Sequence, residues 1–547
     1  RKYQEKSGAT TNSPASAAQT LEALPDISNP PGYPVVLAGL MKVLPFHFTV
    51  DLKHPFWSVA EPSAPGGRIF WRYEPDFLIA LFNELLLLAV VVAAFLWARR
   101  MFDGAVAWMS AIVLLGTELL WRFSVSGLST LLLMLIFLGL VWCLTLFESE
   151  AREPKRGQAG LFALSAAAGL LVGLGSLTRY SFAWLIIPML VWMVLCLRSR
   201  GVPFYLTALT VFALVMGPWI VRNYNLSGTP FGTATYAALD ATEVFPGHHL
   251  ERSLNPALRI DTRLLWSKLF ANSRDILGKN LFDLGGGWIT ALFLAGLLVG
   301  FRSPALRRMR HFLLLSFLML IVAQSLGRTP LADDSPQINS ENLLVLLLPL
   351  VVIYGVSMFY TLLDQVKFPG PELRVYVIGL FGFLALLPML FALLTTRSAP
   401  VAYPPYHPGV IQQTASWMKQ NELMMSDIPW AVAWYGNKPC VWLTLNAVPD
   451  AAHSTDQENF LSLGRNFKSV NALYLTPLTI DSRLLSECVR TRDDSWGRFV
   501  LRCLALKDVP DNFPLHEMPA GFLPEQLFLS DTKRWQENSA APNPPSP

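Results

Sequence analysis

Residues 105–147 read AVAWMSAIVLLGTELL, then WRFSVSGLST, then LLLMLIFLGLVWCLTLF: two apolar runs, 105–120 and 128–147, meeting at the polar turn 121–130. Each run carries almost no charge and approaches the about 20 residues that cross a hydrocarbon core as a helix. The pair is a membrane hairpin. Arg99 and Arg100 precede its first arm and Arg152, Lys155 and Arg156 follow its second. Positive charge is retained on the cytoplasmic side, so these ends lie inside and the turn bearing Arg122 faces outward.

The rest of the composition agrees with the hairpin. Of 547 residues, 52% are hydrophobic and only 15% charged, and the mean hydropathy is +0.39. Such a chain is a polytopic membrane protein rather than a soluble one. A formal charge of +4, spread over short loops, gives no nucleic-acid stripe. Cys143 and Cys196 lie in apolar runs; Cys440, Cys488 and Cys503 lie in the polar tail without metal-ligand spacing. A Cys488–Cys503 disulfide is open to a tail outside the cytoplasm. The chain opens at Arg1 on a polar stretch, with no signal peptide or first span, and the native N-terminus is expected further upstream.

The run 35–44, led by Pro30 and Pro31, is too short to span and reads as a surface helix. Spans are then expected at 77–97, the two hairpin arms, 161–177, 182–197, 204–221, 288–301, 312–326, 343–362 and 375–394, ten in all. The basic loops set one consistent orientation. Residues 1–75, the turns at Arg122 and Arg179, the loop 222–286, the loop 328–341 and the tail share the outer side. The division is an outer loop with a juxtamembrane helix (1–75), a transmembrane part (76–396) and an extracytoplasmic α/β unit (397–547) with a disordered end. In the tail, strands are expected at 423–425, 440–445, 472–475 and 499–506 and helices at 411–419, 456–463 and 481–489, making a largely parallel sheet.

Charge at a membrane edge is costly, so polar residues gathered on one face are candidates for a site. Arg122, Arg179, Arg222 and Arg328 each sit at the outer end of a different span. Together they suit an anion such as phosphate, which guanidinium holds in bidentate fashion; singly, each suits an interfacial anchor. The outer carboxylates, among them Asp26, Glu74, Asp76, Asp283 and Glu341, read as loop residues, none embedded in an apolar run. No cofactor is certain. A divalent metal stays open at Asp333-Asp334, although adjacent acids in a loop are more often simply solvated, and His248-His249 lacks partners at ligand spacing. Nucleotide motifs and a nucleophile elbow are absent.

Five segments in order carry a resemblance: Asn29-Pro30-Pro31-Gly32-Tyr33-Pro34, Ala98-Arg99-Arg100-Met101-Phe102-Asp103, Arg122-Phe123-Ser124, the run from Gly169 to Arg179, and Gly217-Pro218-Trp219-Ile220-Val221-Arg222-Asn223-Tyr224. Over about residues 25–395 the chain resembles the integral-membrane GT-C glycosyltransferases of the protein O-mannosyltransferase and aminoarabinose transferase type. Ser426-Asp427 and Ala431-Val432-Ala433-Trp434-Tyr435 are similar to the extracytoplasmic domain of bacterial members. The resemblance implies inverting transfer of a sugar from a polyprenyl-phosphate donor to a lipid, glycan or protein acceptor on the outer face, in a bacterial inner membrane. Arg122, Arg179, Arg222 and Arg328 would hold the donor phosphate, with Asp26 or Glu341 as acceptor-binding group or acid. The family's Asp-Glu pair would fall upstream of Arg1, and Thr130 stands where relatives carry an Asp. The competing reading is a catalytically silent lipid- or glycan-binding protein, or a transporter.

Overall fold

The structure, a computed structural model, describes residues 26–48, 73–154, 157–197, 201–239, 242, 262–300, 303–329, 332, 337–394, 408–442, 469–480, 496–509, 513–520, 522 and 526–537. The 12-residue helix α1 (Gly32–Val43) is apolar but too short to span. The first long helix, α2 (Glu74–Met101), begins with Pro75 in its first turn, where proline's missing N–H costs nothing, and buries Trp97 near its far end. Asp103 then caps α3 (Gly104–Gly116), its carboxylate accepting from Val106 N at 2.9 Å, a contact that contributes about 1 kcal/mol.

The expected first hairpin arm is not one straight helix. It breaks at Thr117 and continues as α4 (Glu118–Ser124) after a bend of 58°. A break in a membrane helix must still satisfy its carbonyls. Here the Thr117 hydroxyl donates to Val113 O at 2.8 Å and the Trp121 indole to Leu115 O at 2.6 Å. The second arm is α5 (Thr130–Arg152), largely buried and lined by Phe137, Leu140, Leu144 and Phe147.

Next come α6 (Gly157–Thr178), a 3-10 turn (Tyr180–Leu185) running into α7 (Ile186–Leu197), and α8 (Val202–Ser227), closed by Gly228 in the left-handed conformation. Where α6 meets α8 the backbones nearly touch. A Cβ built on Gly169 would stand 2.1 Å from Ala208 O, the close approach that small residues allow between membrane helices. The segment expected as a span at 288–301 is instead the second limb of a sharp elbow: α9 (Thr262–Asp275), a π turn (Ile276–Asn280) and α10 (Trp288–Leu298) turn through 107°. Gly286 and Gly287 hold φ of +63° and +80° at the corner, which a side chain would strain. Then follow α11 (Pro304–Gly327), a 3-10 turn (Leu344–Leu347) leading into the buried α12 (Leu348–Leu363), and α13 (Pro371–Leu394).

Among the described residues eight helices are long and apolar enough to cross a membrane, and the number is ten when each bent pair is counted as one span. Residues such as Leu206, Leu214, Val221, Leu380 and Phe391 turn apolar side chains outward from α8 and α13, as a lipid-facing surface does. The chain is an integral membrane protein.

After α14 (Pro408–Ser416), a four-stranded sheet forms from β1 (Leu423–Ser426), β2 (Cys440–Trp442), β3 (Val470–Leu475) and β4 (Leu527–Ser530) in the order β2-β1-β3-β4. The first three are parallel and β4 is antiparallel to β3. Between β1 and β2 lies α15 (Pro429–Gly436). One expectation fails: residues 499–506 belong to a helix, α16 (Trp496–Leu506), and the last strand is β4. Val500 and Cys503 of α16 enter the core beside Leu529, an i, i+3 spacing that fits a helix rather than a strand. The helices expected at 456–463 and 481–489, and Cys488, lie outside the described residues. The sheet is tied to the bundle through α15: Trp434 Nε1 donates to Asp76 Oδ1 at 3.0 Å and the Tyr435 hydroxyl to Asp76 Oδ2 at 2.6 Å.

Candidate functional site

Arg122 lies on α4, which the break at Thr117 carries sideways from the α3 axis. Its Nη1 donates to Gln337 Oε1 at 2.9 Å, and Gln337 Nε2 donates to Asp283 Oδ2 at 3.2 Å. Residues far apart in sequence thus meet at one end of the bundle. Asn342 joins them, donating from Nδ2 to Gln337 O at 2.9 Å.

Arg179 occupies the turn between α6 and the 3-10 segment. Its Nη2 donates to Ser129 Oγ at 3.2 Å, at the start of α5. Its Nη1 is buried and makes no hydrogen bond within the described protein. Burial pulls the guanidinium down to about 10, and the negative charge of Glu341 works in the opposite direction. Arg179 therefore stays cationic at neutral pH, with one donor unsatisfied. A buried donor left in that state costs about 1–3 kcal/mol, which an anionic oxygen would recover.

Arg222 stacks over Trp219, 4.2 Å from the ring centroid, and donates from Nη1 to Asp26 O at 3.0 Å and to Asn223 Oδ1 at 2.9 Å. Trp219 Nε1 and Asn223 Nδ2 both donate to the Tyr180 hydroxyl, at 2.7 and 2.9 Å, which ties the end of α8 to the residue after Arg179. Arg328 is paired with Asp275 at 2.6 Å, and Asp275 also holds Lys279 at 2.7 Å.

The two carboxylates singled out in the sequence do different things. Asp26 Oδ1 accepts from Ser28 N at 2.7 Å, so its side chain closes its own turn while its carbonyl serves Arg222. Glu341 accepts from Thr329 N at 2.9 Å and from the Thr329 hydroxyl, and its charge acts on Arg179. Thr130 is fully buried beside Ser129, its hydroxyl without a hydrogen bond among the described residues. Asp333, Asp334, His248 and His249 lie outside those residues.

With this geometry in hand, the chain can be set against known proteins. No protein-family profile and no curated protein matches it. Among solved structures, ArnT from Cupriavidus metallidurans bound to undecaprenyl phosphate shares 12% identity at a TM-score of 0.50, over 93% of this chain and 89% of that one. The chain has the GT-C fold. The apo state of the same ArnT aligns at 13% identity and a TM-score of 0.48, over 95% of this chain and 90% of that one. The oligosaccharyltransferase AglB from Archaeoglobus fulgidus, in complex with an inhibitory peptide and a dolichol-phosphate, aligns at 10% identity and 0.46, over 81% and 62%.

Within the GT-C fold two polar residues stand out that the sequence reading passed over. Asn83 and Glu84 are adjacent in the apolar run of α2, and Glu84 is not among the outer carboxylates weighed from the sequence. Glu84 Oε1 accepts from the Ser124 hydroxyl at 2.6 Å, two residues from Arg122. Asn83 is wholly buried, and neither its amide oxygen nor its nitrogen has a partner within the described protein. The signal was available: a polar Asn-Glu pair inside a membrane run is costly and points to a functional position.

Proposed function

We propose that the protein transfers a sugar from a polyprenyl-phosphate donor to a lipid, glycan or protein acceptor at the end of the bundle that carries Arg122, with inversion at the anomeric carbon. The observation that carries this reading is the buried Nη1 of Arg179, a fixed cationic donor without an acceptor of its own. The apolar surfaces of α8 and α13 suit a polyprenyl tail. The undecaprenyl phosphate bound by ArnT, in the same fold, supports this donor class.

In the proposed step the acceptor oxygen forms a bond to the anomeric carbon. The bond from that carbon to the phosphate oxygen breaks, and its electron pair stays on the phosphate. Arg179 stabilises the charge that develops there, and Arg122 and Arg222 flank it. The acceptor proton passes to a carboxylate. Glu341 is the first choice because its charge already acts on Arg179, and Asp26 is the second. Among the described residues no three His, Cys, Asp or Glu side chains converge to hold a metal ion.

In this reading residues 1–75 and 76–396 form the transferase, and 397–547 stand outside the cytoplasm of a bacterial inner membrane. The test is transfer by the purified protein in nanodiscs, using radiolabelled polyprenyl-phosphate hexoses and pentoses with envelope lipid, glycan and protein fractions as acceptors. Labelled product together with released polyprenyl phosphate is the expected result. If the lipid-linked sugars neither bind nor turn over, the reading is wrong.

A further inference from the structure

The face of α9 that meets the bundle makes polar contacts. Lys268 Nζ donates to Ala237 O at 3.0 Å, Asn272 Nδ2 donates to Ser325 O at 2.9 Å, and Asp275 pairs with Arg328 at 2.6 Å. Ser325 and Arg328 mark the end of α11, whose 24 residues reach about 36 Å, more than a hydrocarbon core of about 30 Å. These ties hold α9 at the level where α11 leaves the apolar layer. Its direction follows from the elbow. α10 packs against the spanning helix α12, where a Cβ on Gly355 would stand 2.8 Å from Ile289 O. The limb that contains α9 turns 107° away from α10, so α9 lies across the end of the bundle instead of along it.

The opposite face of α9 is open. Arg263, Trp266, Phe270 and Arg274 follow each other at i, i+3, i+7 and i+11, one narrow stripe of an α-helix with no acidic residue in it. Trp266 is 59% and Phe270 68% exposed, and their rings stack with centroids 5.9 Å apart. Exposed Leu277 and Phe282 carry the apolar surface on toward α10, and Arg263 and Arg274 are exposed at the two ends of the stripe. We propose that α9 docks this stripe on anionic phospholipid in the leaflet on the Arg122 side. At the boundary of headgroups and acyl chains, aromatic rings on a membrane-parallel helix are favoured and flanking cations reach lipid phosphates. Two cations unopposed by a carboxylate in the stripe select a lipid with net negative charge. A second copy of the chain fits less well, because pairing two such stripes in either direction sets arginine against arginine. Docking also bears on the site. Asp275 of α9 holds Arg328, and Asp283, beyond the π turn, reaches Arg122 through Gln337. The lipid contact itself stands with or without sugar transfer.

The test reads depth and charge preference at the stripe. In the full chain with its five cysteines replaced, Phe270→Cys is labelled with a nitrobenzoxadiazole fluorophore and the protein is placed in phosphatidylcholine nanodiscs. The label should be quenched by lipids that carry a nitroxide near the top of the acyl chain, and much less by aqueous iodide than the same fluorophore on free cysteine in buffer. Nitroxide-labelled phosphatidylglycerol should reach a given quench at about one-fifth the mole fraction of nitroxide-labelled phosphatidylcholine, as one basic residue at a charged membrane surface would give. Adding Arg263→Gln and Arg274→Gln should bring the two lipids to parity while the label stays shielded from iodide. Full quenching by iodide would put the stripe in water and overturn the proposal. Equal quenching by both lipids with the arginines in place would overturn it too, as would a disulfide-linked dimer through the new cysteine, which would assign the stripe to a second copy.

Discussion

Arg179 brings a cation into the protein and leaves one of its donors without an acceptor, an arrangement that works against the fold and in favour of a ligand. Replacing it by Ala should therefore separate the two properties. Because charge-assisted hydrogen bonds are worth about 1.5–3 kcal/mol, Arg179→Ala should weaken undecaprenyl-phosphate binding by about 10- to 100-fold, with a Tm no lower than that of wild type. Isothermal titration and thermal unfolding in the same nanodiscs measure both; a lowered Tm with unchanged affinity would make Arg179 a structural residue. Asp427 shows the opposite case, a buried charge fully engaged by its own fold. Its Oδ2 accepts from Thr476 N and Oγ1, both at 2.9 Å, yet burial outweighs these contacts and pushes the carboxyl up to about 6. A carboxyl raised on folding holds its proton more tightly in the native state. Its stabilising contribution is complete below the ordinary value near 4, and is lost as pH rises through about 6. For Asp427 that amounts to about 3 kcal/mol. The difference in unfolding free energy between pH 4 and pH 7 should shrink by about that amount in Asp427→Asn, as measured by denaturant unfolding of the full chain; an identical pH slope in both proteins would refute the assignment.

Helices that cross in lipid cannot rely on hydrophobicity to choose their partners, so close packing decides them. Gly169 is the sharpest instance, since its α-carbon lies against Ala208 of α8. Gly169→Leu should force α6 from α8 and abolish monodisperse protein on size-exclusion chromatography. Gly217→Ala, where an added Cβ meets nothing within 4 Å, should be neutral or raise the Tm slightly, because Ala is the better helix former. Equal behaviour of the two variants would contradict this packing. The same contrast explains what could be read from the sequence. The apolar runs marked the spans because a hydropathy pattern is local. The 58° break at Thr117 was hidden, because what sustains it is a pair of polar contacts, Thr117 to Val113 O and Trp121 to Leu115 O, that no run length records. The α16 segment resembled a strand because Phe499 to Leu506 is rich in residues that suit either state. Of the site, the four arginines were visible at span ends. Asn83 and Glu84 were concealed by the strength of the apolar run around them, and the link from Arg122 through Gln337 to Asp283 depends on loops that meet only in three dimensions.

Across the whole molecule, one end of the bundle collects the contacts between distant segments. Arg222 meets Asp26, Arg122 meets Gln337, Arg328 meets Asp275, and the sheet docks through Trp434 and Tyr435 on Asp76. Those segments must therefore share one side of the membrane. The opposite end carries Arg99, Arg100 and Arg152, and in the proposed orientation, which follows the positive-inside rule, it faces the cytoplasm. A fold with its site and its sheet on the same side predicts a simple labelling pattern. In a bacterial host and a background with the five cysteines replaced, Val125→Cys in the exposed turn after α4 should react with a membrane-impermeant maleimide once the outer membrane is permeabilised. Arg152→Cys, at the far end of α5, should react only after the inner membrane is opened. Trp430→Cys on the exposed face of α15 should follow Val125→Cys, because the Asp76 contact places the sheet beside that turn's end of the bundle. Were Trp430→Cys to label with Arg152→Cys instead, the sheet would stand in the cytoplasm. The contact between α15 and Asp76 would then have to be absent from the inserted protein.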